Sequence, residues 1–215
     1  MDICFVGKRI STANVARIAL TLLVVSLAGF GLNCGNAGKL GIVQSEDLCN
    51  CLPLAPDISD FRHMAKHVPI PNVTPQEISV ETILGWPQDL ALPADAPRSG
   101  RELQVFHVAQ AFLQNASVNN GDCDIHLEIS ATSDKNAPRV IVETPVDTEF
   151  CSARHSIQSQ LKQHGFVLDA QHGGELPQAV AADVVGLAFE DFEHTRGSAQ
   201  VATVWELHPA IVTLH

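Results

Sequence analysis

Residues 120–145, NGDCDIHLEISATSDKNAPRVIVETP, decide how the chain folds. Over 122–129 the sequence alternates with period two. Ile125, Leu127 and Ile129 share one face, while Asp124, His126 and Glu128 share the other. This alternation fits a half-buried strand, because successive side chains of an extended chain point to opposite sides of a sheet. The polar run 130–138 then reads as a hairpin loop and the β-branched run 139–144 as the next strand. Cys123 lies at the head of this unit and Cys151 just beyond it.

Working outward, residues 102–113 (ELQVFHVAQAFL) form a long alternating segment, and 114–121 (QNASVNNG) read as a turn. Residues 151–165 read as a helix. Ser152 is its expected cap, Ala153, Ile157 and Leu161 form a narrow apolar stripe, and Gly165 stops it. Residues 180–192 supply a fourth strand with Gly186 as a bulge point. Residues 193–200 are a polar loop and 202–215 a fifth strand. The order is strand, strand, strand, helix, strand, strand. It predicts a mainly β (β+α) fold: a five-stranded OB-like barrel with one helix between strands three and four. The loops expected to flank its ligand groove are 114–121 and 193–200. An open α+β sheet built from the same elements is the alternative.

Before the barrel lie two other textures. Lys8, Arg9 and Arg17 accompany residues 18–32, fifteen almost wholly apolar residues. A basic start followed by a short apolar run is the secretory signal pattern, and the run is short for a bilayer span. Residues 1–37 are therefore expected to be a signal peptide cleaved after Ala37. Lipidation at Cys34 and an uncleaved anchor are the alternatives. Residues 38–100 form a Pro-rich arm, since prolines 69, 71, 75, 87, 93 and 97 block long helices and sheet interiors. Within it, residues 57–67 suggest a short helix with Phe61 and Met64 on one side. Residues 75–85 suggest a short strand or helical turn. Ile78, Val80, Ile83, Leu84 and Trp86 indicate that the arm packs onto something. The barrel domain then spans 101–215, and no later run is long enough to span a membrane.

The net charge of −11 resolves into +2 over residues 1–37, where Lys8, Arg9 and Arg17 face Asp2 alone, and −13 over the rest. An acidic body repels phosphates, so nucleic acid is not favoured as a partner. Export, whether periplasmic or extracellular, places the cysteines where disulfides persist. Cys49 and Cys51 are too close in sequence to pair with each other easily, and a bridge between Cys123 and Cys151 is expected.

Asp124, His126 and Glu128 on one strand face a possible partner set, Glu206 and His208, which share a face of the last strand. Asp124, His126, Glu206 and His208 are thus the candidate binding residues. Glu143, Arg139 and His194 are the candidate catalytic groups. Imidazole and carboxylate together suit a divalent cation, calcium or zinc, or an acid/base pair. The competing reading is that these groups are solvated or brace the barrel. For Glu128, Asp191 and Arg196 the solvated reading is preferred.

Two resemblances follow from these motifs. The ordered set D-x-D-x-H-L-x-I, V-I-V-E-T-P, G-L-A-F-E-D-F-x-H and W-E-L-H-P resembles a family of uncharacterised exported bacterial proteins, over residues 101–214. The pair N-G-D-C at 120–123 and R-V-I-V-E-T-P at 139–145 resembles the staphylococcal nuclease-like pattern on an OB barrel. That likeness would make Asp122 and Glu143 metal-ligand carboxylates and Arg139 a phosphate-binding arginine. The chain departs from the pattern where Asn120 replaces its first aspartate, where Arg139 lies one residue closer to Glu143, and where Val146 replaces a glutamate after Thr-Pro. The sequence therefore points first to an exported domain that binds a ligand or partner, with or without a divalent cation. A metal-dependent phosphodiesterase and a structural cell-envelope domain are the alternatives.

Overall fold

The computed structural model describes residues 47–52, 61–89, 91–192 and 197–215. The expected signal peptide, Cys34, the start of the helix expected over 57–67, His194 and Arg196 lie outside the described residues.

Six strands form the framework: β1 (Gln76–Ile78), β2 (Val105–Val118), β3 (Ile125–Ser130), β4 (Arg139–Thr144), β5 (Gly174–Glu190) and β6 (Val201–Leu214). Their order is β1-β2-β3-β4-β6-β5, and β5 pairs again with β2. Five strands thus close into a barrel, and β1 is an addition to it. The β4/β6 pair is parallel, while β2/β3, β3/β4, β5/β6 and β2/β5 are antiparallel. Helix α3 (Cys151–Gln163) links β4 to β5. The chain is a mainly β, OB-like barrel, as the order of elements predicts. No described helix is long and apolar enough to cross a membrane.

The alternation in β3 sets which side is the core. Ile125, Leu127 and Ile129 are fully buried together with Val140 and Val142 of β4, Leu207 of β6, and Leu113 and Val184. Each such side chain contributes roughly 1.5–3 kcal/mol when removed from water. Gly186 is where the sequence expects a bulge, and the β5/β6 register shifts between Gly186 and Ala188.

Residues 114–118 continue β2 instead of turning. Gln114 stays buried in the strand because its side-chain amide donates to Ser130 Oγ (2.8 Å), the Thr132 carbonyl (3.1 Å) and the Asp134 carbonyl (3.2 Å). The end of β3 and the polar loop after it thereby take up the amide donors of a side chain that looks like a turn former in sequence. Ser152 is not the cap of α3; a short helical turn (Thr148–Phe150) leads into the helix and places Ser152 inside its first turn. Gly165 ends the helix in the left-handed region at φ 75°.

The arm packs on the barrel. Its two short helices are α1 (His63–Lys66) and α2 (Val80–Leu84). Ser79 caps α2 by accepting from Thr82 N at 3.2 Å. Val80 and Ile83 are buried, and the Trp86 ring lies 5.2 Å from Trp205 and 5.3 Å from Phe106. Strand β1 runs parallel beside Phe106, His107 and Val108 of β2. Arg62 forks onto Glu102 with bonds of 2.6 and 2.7 Å. Met64 does not join Phe61 as expected: it is 82% exposed, while Phe61 stacks on Phe192 at 4.9 Å.

The disulfide expectation needs correction. Cys123 and Cys151 are both oxidised, but not to each other. Cys49 pairs with Cys151 and Cys51 with Cys123, with Cα separations of 5.3 and 5.9 Å. Cys49 lies within the short helical turn Leu48–Asn50 and Cys51 in the extended residue that follows it, so the two sulfurs reach different partners, one at the start of α3 and one in the segment leading into β3. Arg154 of α3 sits beneath this staple, fully buried, and donates to the carbonyls of Leu48, Thr144 and Cys123. It anchors the 47–52 segment to α3.

Candidate functional site

The polar face of β3 continues across β4 and β6. In register, His126 lies opposite Glu143. Ile141 of β4 lies opposite Glu206, which places Glu143 beside His208 on the parallel neighbour. One row of the sheet therefore reads His126, Glu143, His208, on the side away from the apolar core.

Glu143 joins the two imidazoles. His126 Nδ1 donates to Glu143 Oε1 at 2.8 Å, and His208 Nδ1 donates to Glu143 Oε2 at 2.9 Å. Glu206 Oε1 lies 3.3 Å from the same His208 nitrogen. Two acceptors thus flank Nδ1 of His208, which fixes the proton there and turns Nε2 toward Asp124. Asp124 Oδ1 accepts from Val146 N at 2.8 Å. Its other oxygen, Oδ2, lies 3.3 Å from His208 Nε2. Neither atom has a hydrogen-bond partner among the described residues. His208 is 0% exposed and Asp124 and Glu206 are 1% exposed.

Asp122 stands at the mouth of this centre, half-buried. Its Oδ1 accepts from Asp124 N at 2.9 Å and its Oδ2 from Asn119 Nδ2 at 3.0 Å. Burial, followed by the charges of Asp124 and Glu143, pushes its carboxyl up to about 7. Burial opposes charge on the two histidines, but the carboxylates around them prevail. Glu128 and Glu143 hold His126 up to about 10. Asp124, Glu143 and Glu206 raise His208 well above the ordinary imidazole value. Glu143 is also buried, yet its two imidazole partners hold its pKa well below the usual carboxylate range.

A second cluster lies along the same face. Arg139 Nη1 donates to Glu128 Oε2 at 2.9 Å and also contacts Glu175. Ser198 N donates to Glu128 Oε1 at 2.7 Å. Glu128 and Arg139 are each about 1% exposed at the side chain. The solvated reading of Glu128 is therefore wrong: strand alternation places it opposite the core, but the loop carrying Gly197 and Ser198 covers that side. Asp191 is buried as well.

The arm supplies residues that sequence reasoning did not bring to the site. His67 Nδ1 donates to Asp147 Oδ2 at 2.6 Å, and its ring lies 6.1 Å from His208. Arg62, Lys66 and Arg98 all lie over the Phe189 ring, 4.8, 5.5 and 5.4 Å from its centroid. Phe189 pairs with Glu206 and its ring is 5.9 Å from that of His208. The cationic cluster Arg62-His63 and Lys66-His67 is visible in the sequence, but nothing local indicates where the arm lands.

Of the expected site residues, Asp122, Asp124, His126, Glu143, Glu206 and His208 come together, while Arg139 is drawn into the neighbouring ion pair. Two groups among the described residues have metal-ligand proximity: Asp124, Glu143 and His208, and separately Cys49, Cys151 and His155. In the second the sulfurs are joined as a disulfide, so they offer no thiolate. Searches against protein-family models, curated proteins and solved structures return no match to this chain. No comparison therefore bears on either resemblance drawn from the motifs.

Proposed function

We propose that the chain is an exported OB-like domain that binds a cationic ligand or partner and does not hydrolyse phosphodiesters. The observation that carries this reading is the state of Arg139. A hydrolase arginine must direct its donors at the phosphate to stabilise developing charge. Here the guanidinium is buried and its two terminal nitrogens donate to Glu128, Glu175, Ser198 and the Lys135 carbonyl. Glu143, held between two imidazoles with a lowered pKa, is a weak base for activating water.

The same face supports binding of positive groups. It carries Asp124, Glu143 and Glu206, and the protein lays its own Arg62, Lys66 and Arg98 across Phe189 beside them. The net charge of −11 favours approach of cations over the whole surface. Export rests on the basic-apolar leader and is supported by the two disulfides.

Two measurements test this. Incubation with single-stranded DNA and RNA in calcium or zinc should give no cleavage; cleavage abolished by Glu143→Gln overturns the non-hydrolytic assignment. Thermal-shift titration with polyamines and Lys/Arg-rich peptides should raise Tm in a salt-sensitive way, while oligonucleotides should not. Stabilisation by oligonucleotides alone overturns the cationic preference.

A further inference from the structure

The orphaned pair in the centre of the polar face has a consequence beyond ligand charge. Asp124 Oδ2 and His208 Nε2 are buried, 3.3 Å apart, and make no hydrogen bond among the described residues. Two buried polar atoms without partners cost free energy that a folded protein ordinarily avoids. Glu143 takes the Nδ1 side of the ring, so Nε2 is the imidazole nitrogen left to meet Asp124 Oδ2, and Asp124, Glu143 and His208 bring buried ligand atoms within 4.8 Å of one another. A cation seated between Asp124 Oδ2 and His208 Nε2 would satisfy both, in place of a direct ion pair.

We propose that Asp124 Oδ2 and His208 Nε2 are the protein donors of a buried site for a divalent transition-metal cation of the zinc type. The proposal deepens the binding reading above by naming a ligand of the same centre. The spacing fits: two donors about 2.1 Å from a tetrahedral zinc ion stand about 3.4 Å apart. The arrangement behind them fits too. A metal-bound histidine usually gives its other N–H to a carboxylate, which fixes the ring. Glu143 accepts that proton from His208 at 2.9 Å, and Glu206 stands 3.3 Å away as a second acceptor. Val146 N holds the other oxygen of Asp124, so the free oxygen has one direction to face. A nitrogen donor in a closed site suits zinc better than calcium, which takes six to eight oxygens.

The test uses the full chain with its disulfides intact, stripped by chelator. Isothermal titration with zinc chloride should show one ion bound per chain, and calcium chloride should bind at least tenfold more weakly. Glu143→Gln should weaken zinc 10- to 100-fold by loosening His208. Asp124→Asn should abolish the site. Exposed pairs such as His172 with Asp169 offer adventitious sites, so unchanged zinc affinity in Asp124→Asn would overturn the proposal. Either variant could lose its fold. A second measurement on the wild type therefore decides independently: in the 15N spectrum of labelled histidines, zinc should move Nε2 of His208 while Nδ1 stays protonated. A His208 Nε2 that is protonated and unmoved by zinc overturns the site. That result leaves the cationic-partner reading standing, because the polyamine and peptide titrations test it separately.

Discussion

Replacing Glu128 by Gln isolates the buried ion pair with Arg139, because the amide keeps the side-chain shape and removes its charge. In the folded protein Glu128 accepts from Arg139 Nη1 at 2.9 Å and from Ser198 N at 2.7 Å. Removing one partner of a buried pair typically costs 3–5 kcal/mol, since the other charge remains in a low-dielectric setting. Arg139 keeps its contact with the half-exposed Glu175, so the loss should lie at the low end, about 3 kcal/mol. The pH dependence gives the magnitude by a second route. Burial alone would raise the Glu128 pKa, but His126, Ser198 and Arg139 hold it at about 2 against an ordinary 4.5. A carboxylate with a depressed folded pKa stabilises the fold above its unfolded pKa, and the effect is lost as pH falls toward the folded value. The gap between 4.5 and about 2 corresponds to roughly 3 kcal/mol, present at pH 7 and falling by about half at pH 3. Urea unfolding with intact disulfides at both pH values measures this. The variant should be about 3 kcal/mol less stable at pH 7, lowering Tm by roughly 6–12 °C, with the difference narrowing at pH 3. A difference below about 1 kcal/mol at pH 7, or one that does not change with pH, would refute the reasoning, because it would match an exposed pair.

Further outcomes follow from neighbouring features. Gly197→Ala should destabilise the protein by at least about 1 kcal/mol, because φ there is +54° and an added Cβ would meet the Glu128 carboxylate and His126 Nε2; unchanged stability would mean the loop does not cover these groups. Leu127→Ala should cost about 3 kcal/mol by opening a cavity in the barrel core, read by chemical denaturation. Non-reducing peptide mapping should recover Cys49 linked to Cys151 and Cys51 linked to Cys123, and losing either bridge should cost about 2–5 kcal/mol. Ser79→Ala should cost about 1 kcal/mol by uncapping α2, and a larger loss would show that β1 and α2 anchor more of the arm than they contact.

The barrel was legible because its signals are local. Period-two alternation in β3, the β-branched run of β4 and the stripe of Ile157 and Leu161 in α3 each state a face without outside information. β4 begins and ends where the sequence places it. What misled was polarity taken as exposure. Gln114 and Glu128 read as turn or surface residues, yet both are buried, because loops far along the chain supply their partners. The site was legible in the same partial way. The register of β3, β4 and β6 unites His126, Glu143 and His208, all of them strand residues whose facing is set by alternation. The contributions of Arg62, Lys66 and His67 depend on where a Pro-rich arm comes to rest, and no periodicity encodes that. The disulfide partners likewise depend on the position of the 47–52 segment against α3, a tertiary fact.

What lies between Asp124 Oδ2 and His208 Nε2 decides most directly whether the centre is a metal site. Crystals of the intact chain grown with zinc should be measured above and below the zinc absorption edge. One anomalous peak is expected, about 2 Å from both Asp124 Oδ2 and His208 Nε2. A map without a peak there, with the two side chains joined by a direct hydrogen bond through a protonated imidazole, would contradict it.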